Sequence, residues 1–293
     1  MANAKAQSID TTCLSLNRTV SKPQIHRDYI AHCFRWSYVA RCLNQLKRHK
    51  TAHVLDVGCG REVPLARTLY ASMLTHTTGS YTGVDYGKID WPESIPVKTS
   101  KFNMVLHEKI DFTEVKLARQ SYDFVISFEV LEHVEPTHAF KMLAKMQEML
   151  SDAGSAIIST PCYNSKTGAA ANHVNEMTYE AFSVLLRLAG LGVKAVYGTF
   201  ASQKDYKHLL SPELKHFYTA LSEFYDSQVL STIFAPVLPE QSRNCLWVLS
   251  KEEQFPFKYA KKVLQTLAKP EHSSSKRWQE ELKQIETFLK RRK

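Results

Sequence analysis

The sequence lacks the features that mark membrane-spanning, secreted and disulfide-rich proteins. No apolar run approaches the roughly 20 residues needed to cross a bilayer, and the opening stretch MANAKAQSIDTTCLSLNRTV contains no apolar signal segment. The six cysteines form no CxxC pair and follow no regular spacing, which argues against a disulfide framework or a zinc site. These absences predict a cytoplasmic protein with reduced thiols.

The net charge of +9 is concentrated at the two ends of the 293-residue chain. Residues 1–50 carry nine Lys/Arg against two acids, and residues 258–293 carry eleven against four, so each end has a net charge of +7. Residues 51–257 carry eighteen against twenty-three, a net charge of −5. Basic ends can bind phosphates, which makes nucleic acid a candidate partner, but solvated helix faces explain the same charges.

Apolar runs alternate with helical patterns through the middle of the chain. Runs such as YDFVISFEV (122–130) are almost continuously apolar, which is typical of parallel strands that are buried on both faces. The alternation predicts an α/β fold with a Rossmann-like doubly wound sheet. Helical spacing also predicts a short helix over TEVKLARQ (113–120) and a helix that ends at Gly154.

The same patterns divide the chain into three parts. Residues 1–50 are predicted to form a leader and an amphipathic helix, and residues 51–253 to form the α/β domain. Within that domain, residues 204–241 are predicted to be a helical insertion that covers a substrate pocket. Residues 254–293 are predicted to form a basic helical extension.

The stretch VLDVGCGREVPL (54–65) opens like a nucleotide-binding glycine loop. Dinucleotide loops usually have a third glycine, which lets the following helix pack closely while its N-terminus receives the diphosphate. Glu62 stands near that place, and an acid at the start of a helix would repel a diphosphate. S-adenosylmethionine has no phosphate and carries a sulfonium and an ammonium group, so it suits this loop better than a dinucleotide does.

Carboxylates also follow the second and third predicted strands. Asp85 is placed to accept hydrogen bonds from ribose hydroxyls, although it could instead cap the next segment. Asp111, followed by Phe112, is placed to accept from an adenine amino group, although it could instead cap the following helix. Because ligands bind at the carboxyl ends of strands in such sheets, these acids and the glycine loop are expected to converge.

VLDVGCG, the acid after the second strand, DF after the third and SFEVLEHV after the fourth together resemble the class I S-adenosylmethionine-dependent methyltransferases. The likeness covers about residues 50–251 and implies a seven-stranded sheet whose last strand is antiparallel and inserted between the fifth and sixth. Tyr29, His32 or Arg35 of the leading helix could reach the methionine carboxylate, but helix packing also explains them. The resemblance implies cofactor contacts from Asp56, Gly58, Cys59, Gly60, Asp85, Tyr86, Asp111, Phe112, Phe128 and Glu129.

Methyl transfer needs a positioned nucleophile and a group that removes its proton. Glu129, His133 and His173 are the candidate catalytic residues, and His133 is the best candidate base because an unperturbed histidine titrates near neutrality. The pattern ExxEH with a later histidine also resembles that of small-RNA 3′-terminal 2′-O-methyltransferases and of some quinone O-methyltransferases, in which it holds a divalent metal. That resemblance implies Mg²⁺ or Mn²⁺ held by Glu129, Glu132, His133 and His173, while a purely structural role for Glu-His remains an alternative.

The acceptor is only partly constrained by the sequence. The fourth strand is not followed by the (N/D)PP(Y/F) turn of amino-methyltransferases, and Pro161-Cys162 follows the fifth strand, which disfavours cytosine-C5 chemistry. The predicted acceptor is therefore an oxygen or nitrogen of a small molecule, a sugar or lipid-linked group, or a nucleic-acid or nucleotide hydroxyl. The alternative function is a nucleic-acid-binding or scaffold protein on the same fold with little activity.

Overall fold

A computed structural model describes residues 27–46, 51–76, 79–99, 101–252, 263–265 and 267–291. Most of the predicted leader (1–26 and 47–50) and the start of the predicted C-terminal extension (253–262) lie outside the described residues. Among the helices that the structure describes, none is long and apolar enough to span a bilayer.

A seven-stranded sheet forms the centre of the fold, as predicted. Its strands are β1 (Ala52–Val57), β2 (Gly79–Val84), β3 (Phe102–His107), β4 (Tyr122–Phe128), β5 (Leu150–Pro161), β6 (Leu191–Phe200) and β7 (Asn244–Lys251). Their order is β3-β2-β1-β4-β5-β7-β6, with β1 to β5 parallel and β7 antiparallel to both of its neighbours. The inserted antiparallel last strand is therefore confirmed.

Strand burial explains why the sheet was readable from the sequence. β4 lies between β1 and β5, and all seven of its residues are buried, as its continuous apolar run predicts. The edge strand β3 alternates buried and exposed residues over its first four positions. Chain order reverses between β1 and β4, so a crevice opens there at the carboxyl end of the sheet.

Helices cover both faces of the sheet. They are α1 (Arg27–Asn44), α2 (Pro64–His76), α3 (Pro136–Met149), α4 (Tyr179–Leu188), α5 (Gln203–Tyr206), α6 (Pro212–Ser222), α7 (Ser227–Ile233) and α8 (Trp278–Arg291). Apolar residues of α1 and α2, such as Leu43 and Leu65, join the core on one face. Residues of α3, α4 and α8 join the larger core on the other face.

Two predicted helix positions are wrong. Residues 113–120 form turns, and there the Lys145 ammonium donates to the backbone oxygens of Phe112 and Val115, so these carbonyls have partners outside a helix. The helix that was expected to end at Gly154 ends at Met149, and Gly154 lies inside β5. A Cβ at that glycine would stand 2.8 Å from a backbone oxygen of the neighbouring strand, so close strand approach, not helix capping, requires the glycine.

Residues 203–241 are helical, with three short helices and three 3-10 turns. They bury a small apolar cluster of their own that includes Tyr206, Tyr218 and Phe234. The described C-terminal residues belong to the main body of the fold. Leu264 and Trp278 are fully buried in the larger core, and α8 packs against α3.

Candidate active site

The glycine loop joins β1 to α2 in a conformation that only part of its sequence favours. Gly58 and Gly60 have φ of 74° and 76°, and a Cβ on Gly58 would lie 2.3 Å from Val130 Cγ2, so the loop packs tightly against the segment after β4. Val63 has φ of 47°, which is strained for a β-branched residue. Glu62 is exposed, and it is the adjacent Val63 that adopts a left-handed conformation in the absence of a third glycine.

Asp85 points toward the glycine loop. Its Oδ2 accepts from the Gly60 amide at 2.8 Å, and its Oδ1 accepts from the Gly87 amide at 2.7 Å. Each carboxylate oxygen can accept more than one hydrogen bond, so ribose hydroxyls remain compatible with both contacts. The side chain of the next residue, Tyr86, is 65% exposed beside the crevice.

Asp56 is a buried carboxyl beneath the loop. It accepts a short hydrogen bond from the Tyr81 phenol, and it lines a small cavity with Gly58, Phe128 and His32. Burial raises its pKa to about 7, although the Tyr81 hydrogen bond opposes the shift. A cation placed in this cavity would therefore favour the ionised carboxylate. Cys59 is also buried there, and burial raises the pKa of its thiol.

Asp111 and Phe112 lie outside that small cavity. Asp111 Oδ1 accepts from the amide and hydroxyl of Thr113, both at 2.7 Å, and its Oδ2 lies 3.1 Å from His138 Nε2. Phe112 is buried in the larger core, with the Lys145 ammonium 4.9 Å above its ring. The structure thus gives both residues local partners, and their role toward an adenine stays a prediction.

Glu129 follows β4 and is held on every side. Its backbone has φ of 57°, an uncommon conformation for a residue other than glycine. Oε1 accepts from the Ser159 hydroxyl at 2.7 Å and lies 3.2 Å from Arg35 Nη2, and Oε2 accepts from the Asn244 amide at 2.7 Å. Burial raises the pKa of this carboxyl, but the Arg35 charge and the hydrogen bonds from Ser159 and Asn244 outweigh burial and lower it overall.

Arg35 and His32 connect α1 to this carboxylate. Arg35 is almost fully buried, donates to Asn244 Oδ1 at 2.8 Å and lies 3.2 Å from His32 Nδ1. Burial and the Arg35 charge lower the pKa of His32 to about 4, so this imidazole is neutral near pH 7. Tyr29, the third residue proposed on this helix, is exposed and interacts with Cys33.

A second cluster lies on the other side of Glu129. Glu132 and His133 sit in a 3-10 turn after β4, and His173 lies in the loop after β5. The two imidazole rings meet edge to face with centroids 4.8 Å apart, and one ligand atom from each of the three residues lies within 4.8 Å of the others. The structure therefore brings together three of the four predicted metal ligands, while Glu129 is engaged elsewhere.

Hydrogen bonds fix which ring nitrogens of the cluster are free. His133 Nδ1 is 3.2 Å from the Asn172 carbonyl oxygen, and because a carbonyl can only accept, this nitrogen carries the proton. His173 Nδ1 makes a short contact with the Glu176 carboxylate. Burial lowers the pKa of His133, with the neighbouring His173 adding to the shift. Its Nε2 is consequently an unprotonated acceptor near neutral pH.

A polar cleft of about 360 Å³ opens at the carboxyl end of β5. Its lining contains no aliphatic side chain and includes Tyr163, Tyr179, Glu240 and Arg243. Arg243 is held in place by Asp205, which accepts from Nε at 2.9 Å and from Nη2 at 2.7 Å. Asp205 belongs to residues 203–241, so this helical segment forms one wall of the cleft, and its role in covering a substrate pocket stays a prediction.

Sequence reasoning missed the partners of the acidic residues. It searched the residues that follow parallel strands, whereas Asn244 begins an antiparallel strand and reaches the same end of the sheet from the opposite direction. Ser159 and Thr199 lie within β5 and β6, where neither spacing nor composition distinguishes them from other strand residues. The one feature of the sequence that could have indicated such a partner was the polar start of RNCLWVLSK, a segment that lies on an antiparallel strand.

Comparisons with known proteins agree with this geometry. A family model described as a methyltransferase domain matches residues 27–221. No curated protein matches the sequence significantly.

Three solved structures illustrate the likeness of the fold. The N1-methyltransferase of 1,6-didemethyltoxoflavin from Burkholderia thailandensis, solved with S-adenosylhomocysteine, is 16% identical (80% of this chain, 94% of that chain, TM-score 0.45). A putative methyltransferase in complex with the Trm112 activator of Haloferax volcanii is 15% identical (78% and 95%, TM-score 0.46). A putative S-adenosylmethionine-dependent methyltransferase from Listeria monocytogenes is 14% identical (76% and 99%, TM-score 0.44).

Proposed function

The chain belongs to the class I S-adenosylmethionine-dependent methyltransferases, and we propose that it transfers a methyl group to an oxygen or nitrogen of a polar acceptor. The observation that carries this proposal is the meeting, at one end of the sheet, of a glycine loop anchored by Asp85 with the neutral imidazole of His133. The first can seat a cofactor, and the second can remove a proton from the acceptor.

The cofactor seat is supported by charge and shape. S-adenosylmethionine is cationic at its reactive end, and the buried Asp56 carboxyl gains a counter-ion when such a group enters the adjacent cavity. Asp85 lies at the mouth of the loop, where its oxygens can accept from ribose hydroxyls in addition to the two amides. We propose that the other residues matching the family pattern contribute backbone contacts and walls: Gly58, Cys59, Gly60, Tyr86, Phe128 and Glu129.

His133 is the proposed general base. Its Nδ1 proton is committed to a backbone oxygen, which leaves Nε2 to accept a proton from the acceptor. Glu129 is a weaker candidate because its carboxylate is already ion-paired with Arg35 and has a lowered pKa. We propose instead that Glu129 shapes the site while His173, held by Glu176, orients the acceptor beside His133.

The polar cleft supports a hydrophilic acceptor over a hydrocarbon one. A quinone with an isoprenoid tail would desolvate charged groups such as Glu240 and Arg243 without offering them hydrogen bonds. A hydroxyl-bearing small molecule, or a nucleotide hydroxyl, would satisfy them. The two tyrosines of the lining can also pack against a ring of the acceptor.

A divalent cation is a second component that the cluster can hold. Burial, with the Glu129 charge adding to it, raises the pKa of Glu132 well above its usual range, so this carboxyl becomes an anionic ligand when a cation is near. Glu132 with the Nε2 atoms of His133 and His173 would bind the ion, and two imidazoles favour Mn²⁺ over Mg²⁺. A metal-bound Nε2 cannot accept a proton, so the metal is an alternative to the role of His133 as base and not an addition to it. Such an ion supplies polarisation of an acceptor hydroxyl.

Isothermal titration tests both components. The wild-type protein should bind S-adenosylmethionine, and Asp85→Ala should lose at least tenfold in affinity, which corresponds to about 1.4 kcal/mol, while the exposed Asp152→Ala should match the wild type. Mn²⁺ should bind the wild type and not His173→Ala, with the distant His53→Ala as control. Absence of cofactor binding refutes the proposed function, and absence of Mn²⁺ binding refutes the metal alone.

Transfer of labelled methyl groups into fractionated cell extract would then identify the acceptor class. Label in a polar small-molecule or nucleotide fraction supports the proposal, and label in the lipid fraction contradicts it. We also propose a cytoplasmic location, because the five cysteines that the structure describes are free thiols.

A further inference from the structure

The described C-terminal residues contact the two segments that support the histidine cluster, the loop after β5 that carries His173 and the start of α3 that follows His133. We define residues 272–281 as the C-terminal brace; they lie beyond the matched methyltransferase domain, which ends at residue 221. We propose that the brace is a working part of the active site and that Ser274 and Glu281 are positioning residues for His173 and His133. The inference rests on the proposed function for the catalytic roles of the two histidines. The contacts that hold the two histidines in position do not depend on that function.

On the side of His173, the brace pairs with the loop after β5 much as a short strand would. The Ser274 hydroxyl accepts from the Glu176 amide at 2.8 Å, and the Ser274 amide donates to the Glu176 carbonyl at 2.9 Å. The Thr178 amide donates to the His272 carbonyl at 2.9 Å. Because the Glu176 carboxylate contacts His173 Nδ1, fixing the Glu176 backbone fixes the imidazole.

A buried polar group strengthens this attachment. Trp278 is 1% exposed, and its indole N–H donates to Asn175 Oδ1 at 3.1 Å and lies 3.0 Å from the Ser273 hydroxyl. Asn175 in turn donates its amide to the Glu132 carbonyl at 3.1 Å. A continuous chain of contacts therefore runs from α8 through the loop to the turn that carries His133.

On the side of His133, the brace holds the start of α3. Glu281 is buried, and its Oε2 accepts from the Thr137 amide at 2.8 Å, which supplies a partner and a negative charge at a helix N-terminus. Arg277 joins Glu281 to Glu135, with nitrogen–oxygen distances of 3.2 Å to each. Thr137 is four residues from His133, so the brace sets the position of that turn as well.

Among the described residues, the contacts of the brace do not involve Asp56 or Asp85 of the proposed cofactor seat. Its hydrogen bonds and ion pairs described here go to the loop after β5 and to residues 135–137, whereas Asp56 and Asp85 contact β2 and the glycine loop. Loosening the brace should therefore lower turnover and leave cofactor affinity unchanged. Loss of a residue that only stabilises the fold would instead lower turnover and the amount of cofactor bound together, in proportion to the fraction of protein that remains folded.

Three full-length variants test the proposal. Ser274→Ala removes the hydroxyl that accepts from the Glu176 amide, and Ser274→Thr keeps it. Thr287→Ala removes an exposed hydroxyl of α8 that lies outside the brace and donates to the Lys283 carbonyl. We expect Ser274→Ala to lower the rate of labelled methyl transfer into cell extract about tenfold with unchanged Kd for S-adenosylmethionine, because the Glu176 carboxylate that holds His173 loses part of its support. The other two variants should match the wild type.

A second readout does not depend on activity. In ¹H–¹⁵N spectra of the histidine rings, Ser274→Ala should shift the signals of His173 and His133 and leave His53, which bonds Ser80, unchanged. Glu281→Ala should shift His133 more than His173, and its melting curve reports whether it remains folded. Unshifted His173 signals in folded Ser274→Ala protein would overturn the proposal, even if the wild type methylates nothing and the proposed function fails.

Discussion

Replacing Asp56 by Asn should change how the stability of the cofactor-free protein depends on pH. The carboxyl is buried and its pKa is raised from 3.8 to about 7, so the folded state holds a proton that the unfolded chain releases. The free energy of unfolding should consequently fall as pH rises between about 4 and 7. The shift of about 3 units corresponds to roughly 4 kcal/mol lost above pH 7.

Asp56→Asn has no such proton, so its stability should lack this component. Urea unfolding followed by circular dichroism between pH 5 and 8.5 should show the stability of Asp56→Asn rising relative to that of the wild type by about 2.7 kcal/mol, because about two pH units of the interval between 3.8 and about 7 lie in this range. The exposed Asp152→Asn is the matched control and should track the wild type. Parallel pH curves for the wild type and Asp56→Asn would refute the buried, proton-binding carboxyl.

The same substitution tests the cofactor seat from the other direction. Binding of a cationic ligand beside Asp56 should draw off its proton, so wild-type affinity for S-adenosylmethionine should strengthen as pH rises through about 7. In Asp56→Asn that strengthening should disappear, and affinity at pH 8 should drop at least tenfold. Opposite effects on stability and on cofactor affinity would identify Asp56 as a residue kept for function at the expense of the apo fold.

Three further outcomes follow from close contacts. Gly58→Ala should destabilise the protein and weaken cofactor binding. Adding Val130→Ala to this variant should restore part of the stability, since it removes the clash but not the backbone strain. Equal melting temperatures of the wild type and Gly58→Ala would contradict this. Arg35→Gln should lower the free energy of unfolding by about 3–5 kcal/mol, and Glu129→Gln by a similar amount. In denaturant unfolding, the double variant should lose less than the sum of the two single losses. Additive losses would exclude a coupled pair. Gly154→Ala should lower the melting temperature without changing cofactor affinity, because its Cβ would meet the Tyr122 carbonyl oxygen and the side chains of Ser151 and Leu150, none of which lines the cofactor cavity.

Much of the sheet could be predicted because the patterns that indicate its strands lie within short stretches of the sequence. The seven buried residues of β4 and the alternation of apolar runs with helices specify a sheet that is covered on both faces, and the glycine loop follows directly from β1. The resemblance then supplied the position of β7. The two wrong helix predictions have a common cause, which is a contact with a residue distant in sequence. Gly154 packs against the backbone of the neighbouring strand, and the carbonyls of Phe112 and Val115 accept from Lys145.

The candidate site was only half predictable for the same reason. Glu132, His133 and His173 could be selected as chemistry-bearing residues near the ends of strands, and the structure brings them together. The residues that support this cluster could not be selected in the same way, because Ser274 and Glu281 make their contacts across about 100 residues or more of chain. A serine-rich linker followed by a basic helix has the composition of a loosely attached tail. What distinguishes this segment is its buried Trp278, a large apolar residue in an otherwise polar stretch.

The identity of the base follows from what surrounds each acidic or basic group, and not from its place in FEVLEH. Glu129 has its charge neutralised by Arg35 and its lone pairs occupied by Ser159 and Asn244, so protonating it would break several contacts at once. Its left-handed backbone points to the same conclusion, because strain of this kind persists only where surrounding contacts fix the residue. His133 has a free Nε2, partial exposure and a lowered pKa. We therefore propose that the histidine carries the proton transfer and that the carboxylate preceding it in the motif positions the end of β4 for that transfer.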